Sequence, residues 1–311
     1  MVNKDLVTIV IPTYKRANKI VRALESCINQ DYKNIEIIIV DDNGEKNSKY
    51  RAETKSLVDT YIKKYGVRYI EHKENKGGSE ARNTGIKEAK GFFISFLDDD
   101  DEILPNKISK QVQLYNEHKD DNVGLIYCYC EAVNEKGEHK RFYNYDFEWN
   151  PLYQQMLGCI AGTSLWFCPK HVLKEVGYFE STPSKQDTIL LLKILAAGYN
   201  IFRVDIPLVK YYEYNNGKIS GTGINNIKGE CNARIFSRKY YSKLKTKEII
   251  NVEYVFSKKL LTLYVLNGLD DLAKKELYNM IKLKFFSVDT FKGGLKYSFK
   301  HIYKTFIEKK N

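Results

Sequence analysis

The sequence predicts an α/β fold, a mainly parallel central sheet with helices on both faces, followed by a C-terminal helical region. Three observations predict it. Near-continuous apolar runs alternate with amphipathic stretches over the first 130 residues, as expected of strands buried on both faces. Acidic turns directly follow two of those runs, on the edge of an open sheet where ligands bind. From about Lys228 onward the pattern is helical throughout.

Taken in order, Leu6–Pro12 is a β-branched run, and Arg16–Asn29 carries Ile20, Leu24 and Ile28 at helical spacing. Ile35–Val40 is a second buried strand, followed by a helix around Lys55–Lys64 and a short strand at Val67–Glu71. Ser79–Ala89 reads as helix and Phe92–Leu97 as strand. Pro105–His118 reads as a helix opened by its proline, and Val123–Cys130 as a strand. Beyond these, Asn134–Gly137 is a hairpin tip, Asp146–Pro151 a loop, Gly162–Cys168 strand-like and His171–Val176 a short helix. Asp187–Ala197 is a helix ended by Gly198, and Tyr212–Gly223 is a loop rich in Asn, Gly and Ser.

Composition narrows the class. Hydrophobic residues make up 43%, with 24 Tyr, 15 Phe and only 6 Pro, which fits an ordered globular chain. The net charge of +11 is concentrated at the end: Lys243–Asn311 holds 15 Lys, no Arg and 7 acids. Within it Phe291, Leu295, Phe299, Tyr303 and Phe306 recur at helical spacing, flanked by Lys292, Lys296, Lys300 and Lys304. Such a helix suits an anionic membrane surface through residues 288–311, and suits packing on the rest of the chain equally well. A tail without Arg and a chain without a nucleic-acid-binding motif argue against nucleic acid as partner. The 6 cysteines show no CxxC pair and read as buried thiols. With no signal segment and no apolar run near the ~20 residues of a spanning helix, the expectation is a cytoplasmic protein, peripheral to the membrane at most.

The acids carry the chemistry. Asp41-Asp42 follows one buried run, and Asp98-Asp99-Asp100-Asp101-Glu102 follows another. Five successive acids repel one another and call for a cation; Mn²⁺ or Mg²⁺ takes carboxylate and phosphate oxygens together. The plainer alternative is a solvated acidic loop capping the next helix. There is no GxxxxGK[ST] and no GxGxxG after a strand, which disfavours an ATPase and a dinucleotide enzyme.

Four segments, Val7–Tyr14, Ile37–Asp42, Gly78–Gly85 (GSEARNTG) and Phe96–Asp101 (FLDDDD), together resemble family 2 glycosyltransferases over roughly residues 5–215. The resemblance implies a GT-A fold and an inverting, metal-dependent transfer from a nucleotide-sugar, with a UDP-sugar favoured. The acceptor it implies is a bacterial surface glycan, lipid-linked or protein-linked. It places Pro12, Thr13 and Tyr14 at the nucleoside, Asp41 and Asp42 at the uracil ring, and Asn83 in the same nucleotide-sugar site. Asp98 and Asp99 fall near the ribose, and Asp100 at the metal. Asp187, in Gln186-Asp187 before a helix ending in Gly198, falls at the catalytic base; the rival role for the residue is a helix N-terminal cap. Thr163, Ser164, Trp166 and Gln186 fall at the donor-sugar and acceptor pocket, where Trp166 stacks on a sugar or else belongs to the core. Many relatives carry a His in the loop matching Tyr212–Ser220; this chain has none, and Lys218 is the candidate to hold the diphosphate. On this reading residues 1–227 are the catalytic domain, with a nucleotide-binding half of about 1–130 and an acceptor half of about 131–227. Residues 228–311 are the basic helical region. The competing readings are a catalytically inactive sugar-nucleotide-binding or scaffold protein, and a sugar nucleotidyltransferase.

Overall fold

The structure, a computed structural model, describes residues 5–144, 146, 149–214 and 222–284, together with 292, 294 and 297. The first β-branched run forms β1 (Val7–Thr13), and six of its seven residues are buried. α1 (Ala17–Ile28) buries Ile20, Ala23, Leu24 and Cys27 on one side. β2 (Ile35–Asp41), α2 (Ser48–Tyr65), β3 (Arg68–Glu71), α3 (Gly78–Glu88) and β4 (Phe93–Phe96) follow in the predicted alternation. α2 starts earlier than its apolar spacing suggested and ends at Gly66, whose φ of 66° is the left-handed cap that glycine adopts without strain.

β3, β2, β1 and β4 lie side by side in that order, all parallel. The chain therefore winds one way from β1 through β2 to β3 and then crosses back to lay β4 on the other side of β1. That reversal leaves a crevice beyond the carboxyl ends of β1 and β4. The sheet continues through β8 (Phe167–Pro169), β6 (Val123–Val133), β9 (Asn200–Tyr212) and β5 (Glu102–Ile103), and β7 (His139–Tyr143) pairs with β6. β8 joins β4 and β6 antiparallel, whereas β6 and β9 run parallel. The fold is thus the mainly parallel α/β sheet expected, with an antiparallel insertion.

Several local expectations are corrected. Pro105 precedes the helix it was expected to open; β5 comes first, and α4 begins later (Lys107–Glu117). β9, to which the sequence reading assigned no element, contains Pro207, which sits where the β6–β9 register shifts, so no regular ladder bond is lost. Asn150 and Pro151 start a helix, α5 (Pro151–Leu157), with the Asn150 side chain accepting from the Tyr153 amide at 3.2 Å. Gly162–Cys168 is mostly not strand. Thr163–Leu165 is a 3₁₀ turn, and only Phe167–Pro169 joins the sheet. The cause is visible in the carbonyls: Gln111 Nε2 donates to Leu165 O at 2.9 Å and Ser95 Oγ donates to Trp166 O at 2.8 Å, taking acceptors that a ladder would need.

α6 (Lys170–Glu175) and α7 (Gln186–Ala196) precede β9. The remaining helices are α8 (Ile224–Arg238), α9 (Thr246–Leu266) and α10 (Asp270–Leu283). The chain forms two compact units: Met1–Asp146, Ile160–Ser181 and Lys193–Glu213 make the first, and Phe147–Cys159, Thr182–Leu192 and Tyr214–Asn311 the second. The second has two apolar clusters, one centred on Tyr254, Leu261, Tyr264 and Met280, the other on Tyr153, Met156, Ile189 and Phe256. No described helix is long and apolar enough to cross a membrane. The aromatic stripe Phe291, Leu295, Phe299, Tyr303 and Phe306, like Lys218, lies outside the described residues. Of the cysteines, Cys159 is exposed and Cys231 half-buried, against the expectation that all are buried.

Candidate active site

Thr13 ends β1, and the acidic tract Asp98–Glu102 leaves β4, so both border the crevice where the strand order reverses. Thr13 Oγ1 donates to Asp99 Oδ2 at 2.7 Å and ties the two strand ends together. The expected repulsion within the tract is answered largely by the chain itself. Arg16 Nη1 lies 2.6 Å from Asp100 Oδ2 and 3.3 Å from Asp99 Oδ1. Arg22 donates to the Asp100 carbonyl at 2.6 Å, and Arg82 pairs with Asp98. Ser164 Oγ accepts from the Asp98 amide at 3.1 Å and donates to Asp101 Oδ2 at 3.0 Å. Nothing in the spacing of Arg16, Arg22 or Arg82 marked them as partners; only the fold brings α1 and α3 to this turn.

Burial dominates the electrostatics. It pushes the Asp99 carboxyl up to about 7 against the opposing pull of Arg16. Asp100 is raised by burial and by Asp98, again with Arg16 opposing, and Asp101 is raised well above the usual carboxylate range by burial and by Asp98. Burial would lower Arg16, but Asp100 and Asp99 together raise it and keep it charged.

The second acidic turn is more completely satisfied. Asp41 is fully buried, bonded by the Tyr69 hydroxyl and by the Asn43 amide at 2.8 Å. Asp42 Oδ1 meets His72 Nδ1 at 2.7 Å and the Lys76 amide at 2.8 Å; its Oδ2 meets Asn75 Nδ2 at 2.9 Å and the Gly77 amide at 2.7 Å. A carboxylate offers about four lone-pair positions, and all are filled here. The geometry makes Asp42 the anion that shapes the 72–77 loop; contact with a uracil ring would require one of these donors to leave.

Pro12 is half-buried and Tyr14 is 38% exposed, so the Tyr14 ring is open at the strand end. Asn83, buried in α3, spends its amide on Phe179, donating to the carbonyl at 2.9 Å and accepting from the N–H at 2.9 Å. Trp166 is fully buried between Phe96 and Phe179, and its Nε1 donates to Ala161 O at 3.0 Å. With no exposed face it is a core residue, not a sugar platform. Thr163 and Ser164 are buried too, and Ser164 acts through the acidic tract rather than facing solvent.

Asp187 belongs to the second unit and is the second residue of α7, so it lies inside the first turn rather than at the cap. Its Oδ1 accepts from the Thr188 amide at 2.7 Å, and the Cys159 thiol points at Oδ2 from 3.7 Å. Lys185, just before the helix at φ 64°, pairs with Glu230 at 2.9 Å; burial opposes its charge and Glu230 restores it. Gln186 reaches back to the Thr182 carbonyl at 3.4 Å.

Among the described residues no three His, Cys, Asp or Glu side chains form a ready-made metal cage. Mg²⁺ and Mn²⁺ do not need one when a diphosphate supplies oxygens: one or two carboxylates suffice. Of the three leading aspartates of the tract, Asp98 and Asp100 have side chains 39% and 20% exposed, whereas Asp99 is 5% exposed; Glu102, 25% exposed, is engaged by Lys210 at 3.3 Å and by the Tyr212 hydroxyl at 2.8 Å. The residues present fit such an ion.

The open α/β sheet, with carboxylates at the crevice where its strand order reverses, matches the GT-A fold that the sequence resemblance implied. The chain belongs to glycosyl transferase family 2, whose model matches residues 8–172. An uncharacterized glycosyltransferase of Rickettsia felis is 35% identical over 255 residues, which cover 80% of this chain and 40% of that protein. The chain thus spans about 40% of the length of this relative and of a similar Rickettsia conorii glycosyltransferase. A putative colanic acid biosynthesis glycosyl transferase of Escherichia coli is 34% identical over 138 residues, 44% of this chain and 46% of that one. Among solved structures, residues 1–349 of S. aureus TarS in complex with UDP-GlcNAc superpose with a TM-score of 0.63 at 17% identity, covering 89% of each chain.

Proposed function

We propose that the chain moves a sugar from a UDP-sugar to an acceptor hydroxyl with inversion, the acceptor being a bacterial surface glycan, lipid-linked or protein-linked. The observation that carries this reading is the pairing of Thr13 with the Asp98–Asp101 tract at the crevice between β1 and β4. The preference for UDP rests on the TarS complex with UDP-GlcNAc rather than on Asp42, and the glycan setting rests on the colanic acid relative.

In this mechanism the Tyr14 ring packs against the base, and Asp98 and Asp100 hold Mn²⁺ or Mg²⁺. When bound, that ion supplies positive charge to the departing diphosphate. Asp187 takes the proton from the acceptor hydroxyl. Its Oδ1 is fixed by Thr188, while among the described residues its Oδ2 meets the weak thiol donor of Cys159, which leaves that oxygen able to accept. Arg22, Arg82 and Ser164 keep the turn rigid. The test is release of UDP from a panel of UDP-sugars, with and without Mn²⁺ and with glycan acceptors. Release that depends on both donor and metal supports the reading; no donor binding or turnover across the panel removes it.

A further inference from the structure

Three arginines reach the acidic tract, but they are not equivalent. Arg82 is anchored: its side chain is 10% exposed, lies over the Phe179 ring and also reaches Gly78 O at 3.4 Å. Arg22 donates to the Asp100 backbone carbonyl, and its guanidinium carbon stacks 3.4 Å from the centre of the Tyr212 ring. Arg16 differs from both. Its side chain is 28% exposed, and a single nitrogen, Nη1, serves both Asp99 and Asp100 instead of forming the planar two-nitrogen fork that makes such pairs strong. Its charge is therefore shared between the buried Asp99 and the partly exposed Asp100 at the crevice.

An ion bound to Asp100 would approach its oxygen to about 2.1 Å. A guanidinium nitrogen already sits 2.6 Å from that Oδ2. Two cations cannot share the oxygen without strong repulsion. We propose that Arg16 is a resident cation that holds Asp100 in the metal-free protein, competes with the metal, and passes to the diphosphate when nucleotide and metal bind together. This rests on the reading of Asp100 as a metal ligand. The exchange gives the site an order. Without nucleotide, Arg16 keeps the tract neutralised and metal affinity low. With nucleotide, the diphosphate offers Arg16 a new anion, and Asp100 is freed. Nucleotide and metal thereby reinforce each other's binding, and the enhancement is reciprocal.

The experiment is a Mn²⁺ titration of the full chain, followed by electron paramagnetic resonance of free Mn²⁺, with and without UDP. Arg16→Gln should bind Mn²⁺ about three- to tenfold more tightly than wild type when UDP is absent, the range expected for losing one partly exposed charge pair. The factor by which UDP strengthens Mn²⁺ binding should shrink in the same variant. Asp100→Asn should abolish Mn²⁺ binding in either background. Mn²⁺ binding that Asp100→Asn abolishes but Arg16→Gln leaves equal or weaker overturns the resident-cation role alone. Absence of Mn²⁺ binding in wild type and Arg16→Gln alike, with UDP present, overturns the metal reading as well. If Arg16→Gln does not fold, Arg16→Lys, with its shorter reach, should show a smaller gain in Mn²⁺ affinity, and no gain there overturns the proposal.

Discussion

Nδ1 of the buried His72 lies 2.7 Å from Oδ1 of Asp42, and its Nε2 lies 2.9 Å from Thr84 Oγ1. A carboxylate oxygen that also receives the Lys76 amide can only accept, so Nδ1 carries the hydrogen there, and Nε2 pairs with the threonine hydroxyl, which can serve as donor or acceptor. One imidazole therefore links the end of β2 to the middle of α3.

This arrangement makes Asp42 a structural anion. Asp42→Asn turns an NH₂ group toward donors that need an acceptor, leaving buried N–H groups unpaired. The expected loss is about 2–4 kcal/mol of folding stability, read by urea denaturation without any ligand. Wild-type stability in the variant would show that the loop does not depend on this carboxylate.

Asp187→Asn tests the proposed base. Its amide cannot take a proton, so turnover should fall by roughly 10²–10⁴ while UDP affinity stays near wild type. A variant keeping more than about a tenth of wild-type turnover removes Asp187 from that role.

Lys107 has no exposed surface, and its Nζ donates to Ser95 Oγ at 2.8 Å. Burial pushes its ammonium down to about 8 from 10.5. Between those values the unfolded chain holds more protons than the folded one, so this group's contribution to stability rises with pH. Wild type should gain on the order of 3 kcal/mol relative to Lys107→Met between about pH 8 and pH 10.5. Parallel denaturation curves for the two proteins across this range would refute the shift.

Glu253 behaves oppositely. Burial disfavours its charge, but bonds from Arg238, Tyr241 and Arg234 outweigh that and hold it at about 2. Its stabilisation is complete above pH 4.5 and is lost as pH falls toward 2. Glu253→Gln should be less stable than wild type at pH 7 by about 1–3 kcal/mol, discounted for partial exposure, and the difference should narrow below pH 4. A thermal-melt series from pH 7 to pH 3 measures both points.

What could be read early was whatever depends on near neighbours in the chain. Apolar β-branched runs at Val7–Thr13 and Ile35–Asp41 demand burial on both faces, and so declare strands. Acids placed directly after β2 and β4 must emerge at the carboxyl edge of parallel strands, which located the candidate site before its contacts were known. β9 went unread, and it pairs with β6 through a register that shifts at three places. Lys107, an ordinary surface residue in the sequence, turned out to be wholly buried.

Satisfaction of buried charge was decided only in three dimensions. Arg16 meets Asp100 across 84 positions of chain, and Asn75 and Gly77 close on Asp42 across 33 and 35. The sequence by itself determined the parallel strands β1 to β4, the acids at their ends and the family. The tertiary structure determined which carboxylates are spent on the fold and which stay open, because a charge removed from water must find its partner wherever the packing delivers one.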